Sequence, residues 1–146
     1  MQVRDFVIDR MHRVVNVLHK SVLALSGGRL GGRLGPMPVV ELHTIGRTSG
    51  KRRSTMLTAP VIDGNTVVLV ASKGGDDRDP DWYRNLLANP DVELTLDGVT
   101  RPMLARPASA EQKGELWPRI VAAYRGYAGY QRRTSRDIPV VICEPR

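Results

Sequence analysis

Four cations stand on one short, glycine-bracketed stretch, Gly46-Arg47-Thr48-Ser49-Gly50-Lys51-Arg52-Arg53, between two strand-like segments. A turn of this kind can aim backbone N–H groups and Lys or Arg heads at a single anion, the arrangement that phosphate and carboxylate groups favour. The alternative is an ordinary basic hairpin whose charges sit in water, as most charge runs do. One phosphate site is excluded by spacing. Three residues separate Gly46 from Gly50 where a P-loop has four, Arg52 stands where that loop needs Ser or Thr, and a strand follows where it needs a helix.

Further along, Ser72-Lys73-Gly74-Gly75 closes an apolar run, and a lysine beside two glycines lets backbone approach a ligand while neutralising a negative group. Trp82, Asn85 and Leu86 share one helical face by their i, i+3, i+4 spacing. Read blandly, Trp82 is core and Asn85 a loop tie. Tyr124, Tyr127 and Tyr130 are interleaved with Gly126 and Gly129. On a helix these tyrosines span about 120° of one side, and the interior glycines, at about 1 kcal/mol each, predict a mobile aromatic wall. Simple packing is the competing explanation. His12, His19 and His43 lack the pairing of a metal site, and no Ser/His/Asp or Cys/His set stands out.

These residues need elements to hold them. A strand over residues 39–44 leads into the basic turn and a second, over 52–57, leads out. Asp63-Gly64-Asn65 turns the chain into a strand over 66–72 whose apolar run indicates burial on both faces. Asp79-Pro80 predicts a short helix with Asp79 as N-cap, stopped by Asn89-Pro90. Strands over 92–96 and 100–106 flank an Asp97-Gly98 turn. Ser109-Ala110-Glu111-Gln112 is a capping-box pattern for a longer helix, and residues 138–144 form a closing strand with Cys143 buried. At the other end, Val3, Val7, Met11, Val14, Leu18, Val22 and Leu25 make one amphipathic helix, followed by a linker in which Gly-Arg-Leu-Gly occurs twice. The expected layout is residues 1–35 as helix and linker and 36–146 as the domain proper: α+β, about six mostly antiparallel strands with flanking helices.

The 146 residues suit one domain, and Lys+Arg of 22 against Asp+Glu of 15 gives a formal charge of +7. Such a balance favours an anionic partner, whether nucleic acid, anionic lipid or a charged small molecule. No recognition signature for nucleic acid is present. The single cysteine excludes an internal disulfide and fits a reducing cytoplasm, and no apolar run reaches a membrane span, so the protein reads as neither secreted nor integral. The apolar stripe of residues 1–26 covers the protein's own sheet, a partner subunit or, peripherally, the inner face of the cell membrane. Oligomeric state is left open.

Three groups in this order, Thr44-Ile45-Gly46-Arg47-Thr48-Ser49-Gly50-Lys51, Ala71-Ser72-Lys73-Gly74-Gly75 and Pro80-Asp81-Trp82-Tyr83-Arg84-Asn85-Leu86-Leu87-Ala88-Asn89-Pro90, resemble the deazaflavin-dependent nitroreductase family of actinobacteria. The resemblance extends over nearly the whole chain, including the tyrosine segment. It implies a split β-barrel related to flavin-binding oxidases, and a reductase that uses coenzyme F-420, a flat three-ring deazaflavin whose tail carries a phosphate and several glutamates. By that resemblance Arg47, Ser49, Lys51 and Arg53 clamp the acidic tail, and Ser72, Lys73 and Gly74 line the phosphate and ring region. Trp82 and Asn85 close one side, and Met56 and Leu57 lie near the ring. Ser72, Tyr124, Tyr127 and Tyr130 form the substrate side and supply a proton or hydrogen bond to an acceptor that is quinone- or enone-like, or incidentally nitroaromatic. Two positions depart from the family pattern: Met56 replaces a usual proline, and Thr58 or Ala59 a frequent tyrosine. A non-catalytic coenzyme carrier, an anionic-lipid-binding module and FMN in place of the deazaflavin are the alternatives.

Overall fold

In the computed structural model, residues 33–34 and 37–146 are described. The expected N-terminal helix and most of its linker lie outside the described residues. The chain runs through strands β1 (Arg33–Leu34), β2 (Met37–Ile45), β3 (Arg52–Thr58), β4 (Val61–Asp63) and β5 (Thr66–Val70). A 3₁₀ turn, Lys73–Gly75, leads to helix α1 (Asp81–Ala88). Then follow β6 (Asp91–Leu96), β7 (Val99–Pro107), α2 (Ala110–Ala123), α3 (Gly126–Arg133) and β8 (Val140–Pro145).

Every pairing is antiparallel, in the order β3-β2-β6-β7-β8-β5-β4, with β1 also against β2. Eight strands among the described residues replace the six expected, because the two extra ones are only two and three residues long and carry too little alternation to be read. β4 is separate from β3 because the chain breaks at Ala59 and Pro60, and proline has no N–H to give a ladder.

Strand parity assigns each side chain to a face. Val40, Leu42, Leu69, Val92, Leu94, Ala105, Val141 and Cys143 gather into one core inside the curved sheet, closed by Trp82, Tyr83 and Leu86 of α1. The other face of β5 and β8 presents Val68, Val70 and Val140 to Ile120, Tyr127 and Ile138, forming a second core under α2 and α3. β5 is therefore covered on both sides, as its apolar run requires. Truncating a fully buried residue such as Leu42 costs about 2–5 kcal/mol.

The helix signals are only partly realised. Ser109 accepts from the Gln112 amide while Gln112 reaches back to the Ser109 amide, so the capping box of α2 forms as read. At α1 the N-cap is Pro80, without a side-chain cap bond, and Asp79 instead pairs with Arg136 at 3.0 Å. A distant guanidinium outcompetes the local N–H groups for this carboxylate because the ion pair is the stronger bond. Among the described residues no helix is long and apolar enough to cross a membrane.

Candidate functional site

The basic turn is closed by its own backbone, Gly46 N–H donating to Lys51 O at 2.7 Å and Gly50 N–H to Gly46 O at 2.9 Å. Its four cations then divide. Arg47 donates from its backbone amide and from Nη1 to Asn85 Oδ1, at 3.1 and 2.9 Å, and from Nη2 to Asp81 at 3.3 Å. Asn85 is buried and passes the tie on to Thr44 Oγ1 at 3.3 Å, so the turn is fastened to α1. Arg52 pairs with Glu93 at 3.1 Å on the neighbouring β6. Lys51 and Arg53 are exposed and have no carboxylate partner among the described residues. Among the described residues Arg53 reaches Ser49 Oγ, at 3.4 Å, an oxygen that also accepts from the Lys51 amide. Two of the cations are thus paired with carboxylates of the fold, and two are exposed without a carboxylate partner among the described residues.

The second group forms a backbone concavity. Ser72 is right-handed helical (φ −77°, ψ −36°), and the next three residues have positive φ: Lys73 at 45°, Gly74 at 63° and Gly75 at 83°. A right-handed residue followed by a left-handed one turns successive N–H groups toward one point, an anion-binding nest. Lysine in that region costs roughly 1–2 kcal/mol. Arg136, far along the sequence, holds this loop: its guanidinium donates to Ala71 O (3.2 Å), Ser72 O (2.9 Å), Asp76 O (2.8 Å) and Asp79 Oδ1 (3.0 Å). Asp76 is fully buried. Burial pushes its carboxyl pKa up, but hydrogen bonds from the Arg78 side chain and amide and the charges of Arg78 and Lys73 outweigh this and hold it below the ordinary value.

The three tyrosines pack on one another, with ring centroids 5.5, 6.3 and 6.1 Å apart. Their exposures differ. Tyr127 is buried and its hydroxyl is bound to Thr58 Oγ1 at 2.9 Å, with Met37 Sδ beyond. Tyr130 is half-buried, and burial together with the neighbouring Tyr124 pushes its pKa up to about 12. Tyr124, between α2 and α3, is 43% exposed, the most exposed of the three rings. α3 also touches the nest directly, through Arg133 Nη1 to Gly74 O at 3.3 Å.

The residues expected together are not all on one side. Arg53 and Leu57 lie opposite Thr44 and Val40, on the inner face of the sheet. Met56 and Thr58 lie opposite Glu41 and Val39, on the outer face with Tyr127. Met56 and Leu57 therefore cannot flank a ring from the same side, since adjacent strand residues alternate. Trp82 is buried in the inner core, edge-on to Tyr83, and contributes packing beneath the site. Cys143 is buried, which raises its thiol pKa to about 12. His43 is buried between Ser54 and Thr95, at 2.8 Å from each hydroxyl. Among the described residues no group of His, Cys, Asp or Glu is placed to hold a metal ion. Arg136 escaped the site reading, and Thr58 entered it only as a departure from the family pattern, because their partners lie far away in sequence and no local motif marks them.

The antiparallel sheet thus carries a basic turn and, beside a tyrosine-bearing helix, a lysine-glycine nest. The family model of the F420H(2)-dependent quinone reductases matches residues 16–145, and the chain belongs to that family. It is 41% identical over 134 residues, 88% of this chain and 89% of the relative, to the F420H(2)-dependent quinone reductase Rv1261c of Mycobacterium tuberculosis. Among solved structures, an F420-H2-dependent reductase (FDR-A) aligns with TM-score 0.67 at 41% identity, over 73% of this chain and 94% of that one. A domain-swapped dimer aligns with TM-score 0.69 at 34% identity, over 98% and 100%.

Proposed function

We propose that the protein is an oxidoreductase in which a hydride passes from reduced coenzyme F-420 to a quinone or related enone, nitroaromatic reduction being incidental. The observation that carries the site is the split among the turn cations. A polyanionic tail requires positive charge that the fold has not already neutralised, and Lys51 and Arg53 meet that requirement while Arg47 and Arg52 do not. In this reading Lys51, Arg53 and Ser49 hold the tail, and the Ser72, Lys73 and Gly74 amides hold its phosphate. Arg47 and Asn85 keep the turn in place. Bound coenzyme supplies the hydride at the central carbon of its ring, and the protein contributes orientation and charge stabilisation. In this reading Ser72 and the exposed Tyr124 donate a hydrogen bond to the oxygen on which negative charge develops. Tyr127, its hydroxyl engaged by Thr58, orients its neighbours, and Tyr130 stays protonated at neutral pH.

Oxidation of reduced coenzyme F-420 by purified protein with menadione tests the activity. Binding without turnover across a panel of quinones and enones would identify a carrier instead. Fluorescence titration with FMN and with the deazaflavin in parallel separates the two cofactor classes. Residues 1–35 are proposed as an appendage whose end, strand β1 (Arg33–Leu34), joins the sheet through β2, and the amphipathic stretch 1–26 as a peripheral contact with anionic lipid from the cytoplasmic side. Equal flotation with anionic vesicles of the full chain and of a chain starting at residue 27 would remove that contact.

A further inference from the structure

Arg136 stands outside every motif, yet its bonds converge on the loop that carries the nest. The side chain is 15% exposed, and three of its four acceptors are main-chain carbonyls, of Ala71, Ser72 and Asp76. These carbonyls bracket Lys73-Gly74-Gly75, the residues with positive φ. A lysine in a left-handed conformation persists only where its surroundings over-determine it. Within the loop, Gly75 N–H to Ser72 O and Asp76 N–H to Lys73 O, at 2.9 and 3.1 Å, supply part of that constraint. Arg136 supplies the part that comes from outside, fixing both ends of the bend with one planar group.

The same arginine is itself held from the tyrosine side. Gln131 of α3 donates to Arg136 O at 2.7 Å and accepts from the Ile138 amide and from Lys113 of α2. An unbroken set of bonds thus runs from α2 and α3 through Arg136 into the Ser72 to Gly75 backbone.

We propose that Arg136 is the positioning residue of the coenzyme site: by clamping the Ala71, Ser72 and Asp76 carbonyls it holds the Ser72, Lys73 and Gly74 amides convergent on the coenzyme phosphate. The proposal rests on the reading of that loop as the phosphate cradle. Lysine in this position keeps the charge but has no planar fork, so it cannot serve both ends of the bend at once.

Arg136→Lys, with Arg136→Gln beside it, is the test, read in the full chain by two measurements. Amide hydrogen exchange in the free protein is expected to rise by about tenfold or more at residues 72–76 while β6 and β7 stay protected. Fluorescence titration with reduced coenzyme is expected to give a Kd raised about tenfold, with the KM for menadione within about twofold of wild type. Unchanged exchange at 72–76, or an unchanged coenzyme Kd in a folded Arg136→Lys protein, overturns the proposal. If wild type itself binds no coenzyme, the cradle reading fails first. If Arg136→Lys does not fold, Gln131→Glu, which replaces the donation to Arg136 O by a carboxylate oxygen facing that carbonyl, is measured in its place, with the same two expectations at reduced size and the same two overturning results.

Discussion

Lys51 and Arg52 are adjacent cations with opposite fates, and the pair makes a direct comparison. Arg52 spends its charge on Glu93, whereas Lys51 projects from the turn without a carboxylate partner among the described residues. Lys51→Glu is expected to weaken coenzyme binding by about tenfold or more at low salt, with the difference shrinking as salt is added. Arg52→Ala is expected to change it by less than about twofold. Equal effects in titrations of the two variants would return the turn to a solvated hairpin. Thr58 offers a second comparison. Thr58→Val leaves the buried Tyr127 hydroxyl with only the weak acceptor Met37 Sδ, a loss of about 1–3 kcal/mol in urea unfolding. Because the tyrosines pack as one cluster, the KM for quinone should rise while coenzyme affinity holds, and steady-state kinetics with menadione will separate the two.

The elements explain which parts of the site could be read from sequence. The basic turn, the Lys73-Gly74-Gly75 bend and the capping box of α2 are local, so each was legible from a few consecutive residues. The Asp79 cap was misread because a partner 57 positions away in sequence claims that carboxylate. Met56 and Leu57, both expected near the ring, send their side chains to opposite faces of β3, an alternation that a motif read as a string does not display. Arg136 was invisible because what it binds is backbone, which has no sequence signature. At Gly75 the 3₁₀ turn and α3 meet closely: a Cβ there would stand 2.8 Å from Tyr130 O and 2.9 Å from Arg133 Cβ, at a φ of 83°. Gly75→Ala is therefore expected to push α3 from the loop and to cost more than the roughly 1–2 kcal/mol of left-handed strain alone. Chemical denaturation measures the cost, and a loss below about 0.5 kcal/mol would contradict the close packing.

Across the whole molecule, several protons are held more tightly in the folded chain than in the unfolded one. Burial raises Cys143 from 9.0 and Tyr130 from 10.0, each to about 12, and raises Tyr127 and Tyr83 as well. The unfolded chain therefore loses these protons first as pH climbs. Their contribution to stability is complete below about pH 9, and is lost as pH rises toward 12. Urea midpoints measured from pH 8 to 11 should fall, less steeply in Cys143→Ala, and a rise over that window would contradict the burial of these groups. At the acid end, Asp76 works the other way, its lowered pKa stabilising the fold above the ordinary value of 3.8 and ceasing to do so as pH falls through it.

The position of Lys51 and Arg53 has one more consequence. Both lie at the exposed end of a hairpin, so a tail held there, as proposed above, would leave the protein and enter water. A tail gripped near its root and free at its tip is recognised by how it begins and not by how long it is. Coenzyme molecules bearing few or many glutamates would then be interchangeable, and a cell that makes them in mixed lengths could use its entire pool through this one enzyme.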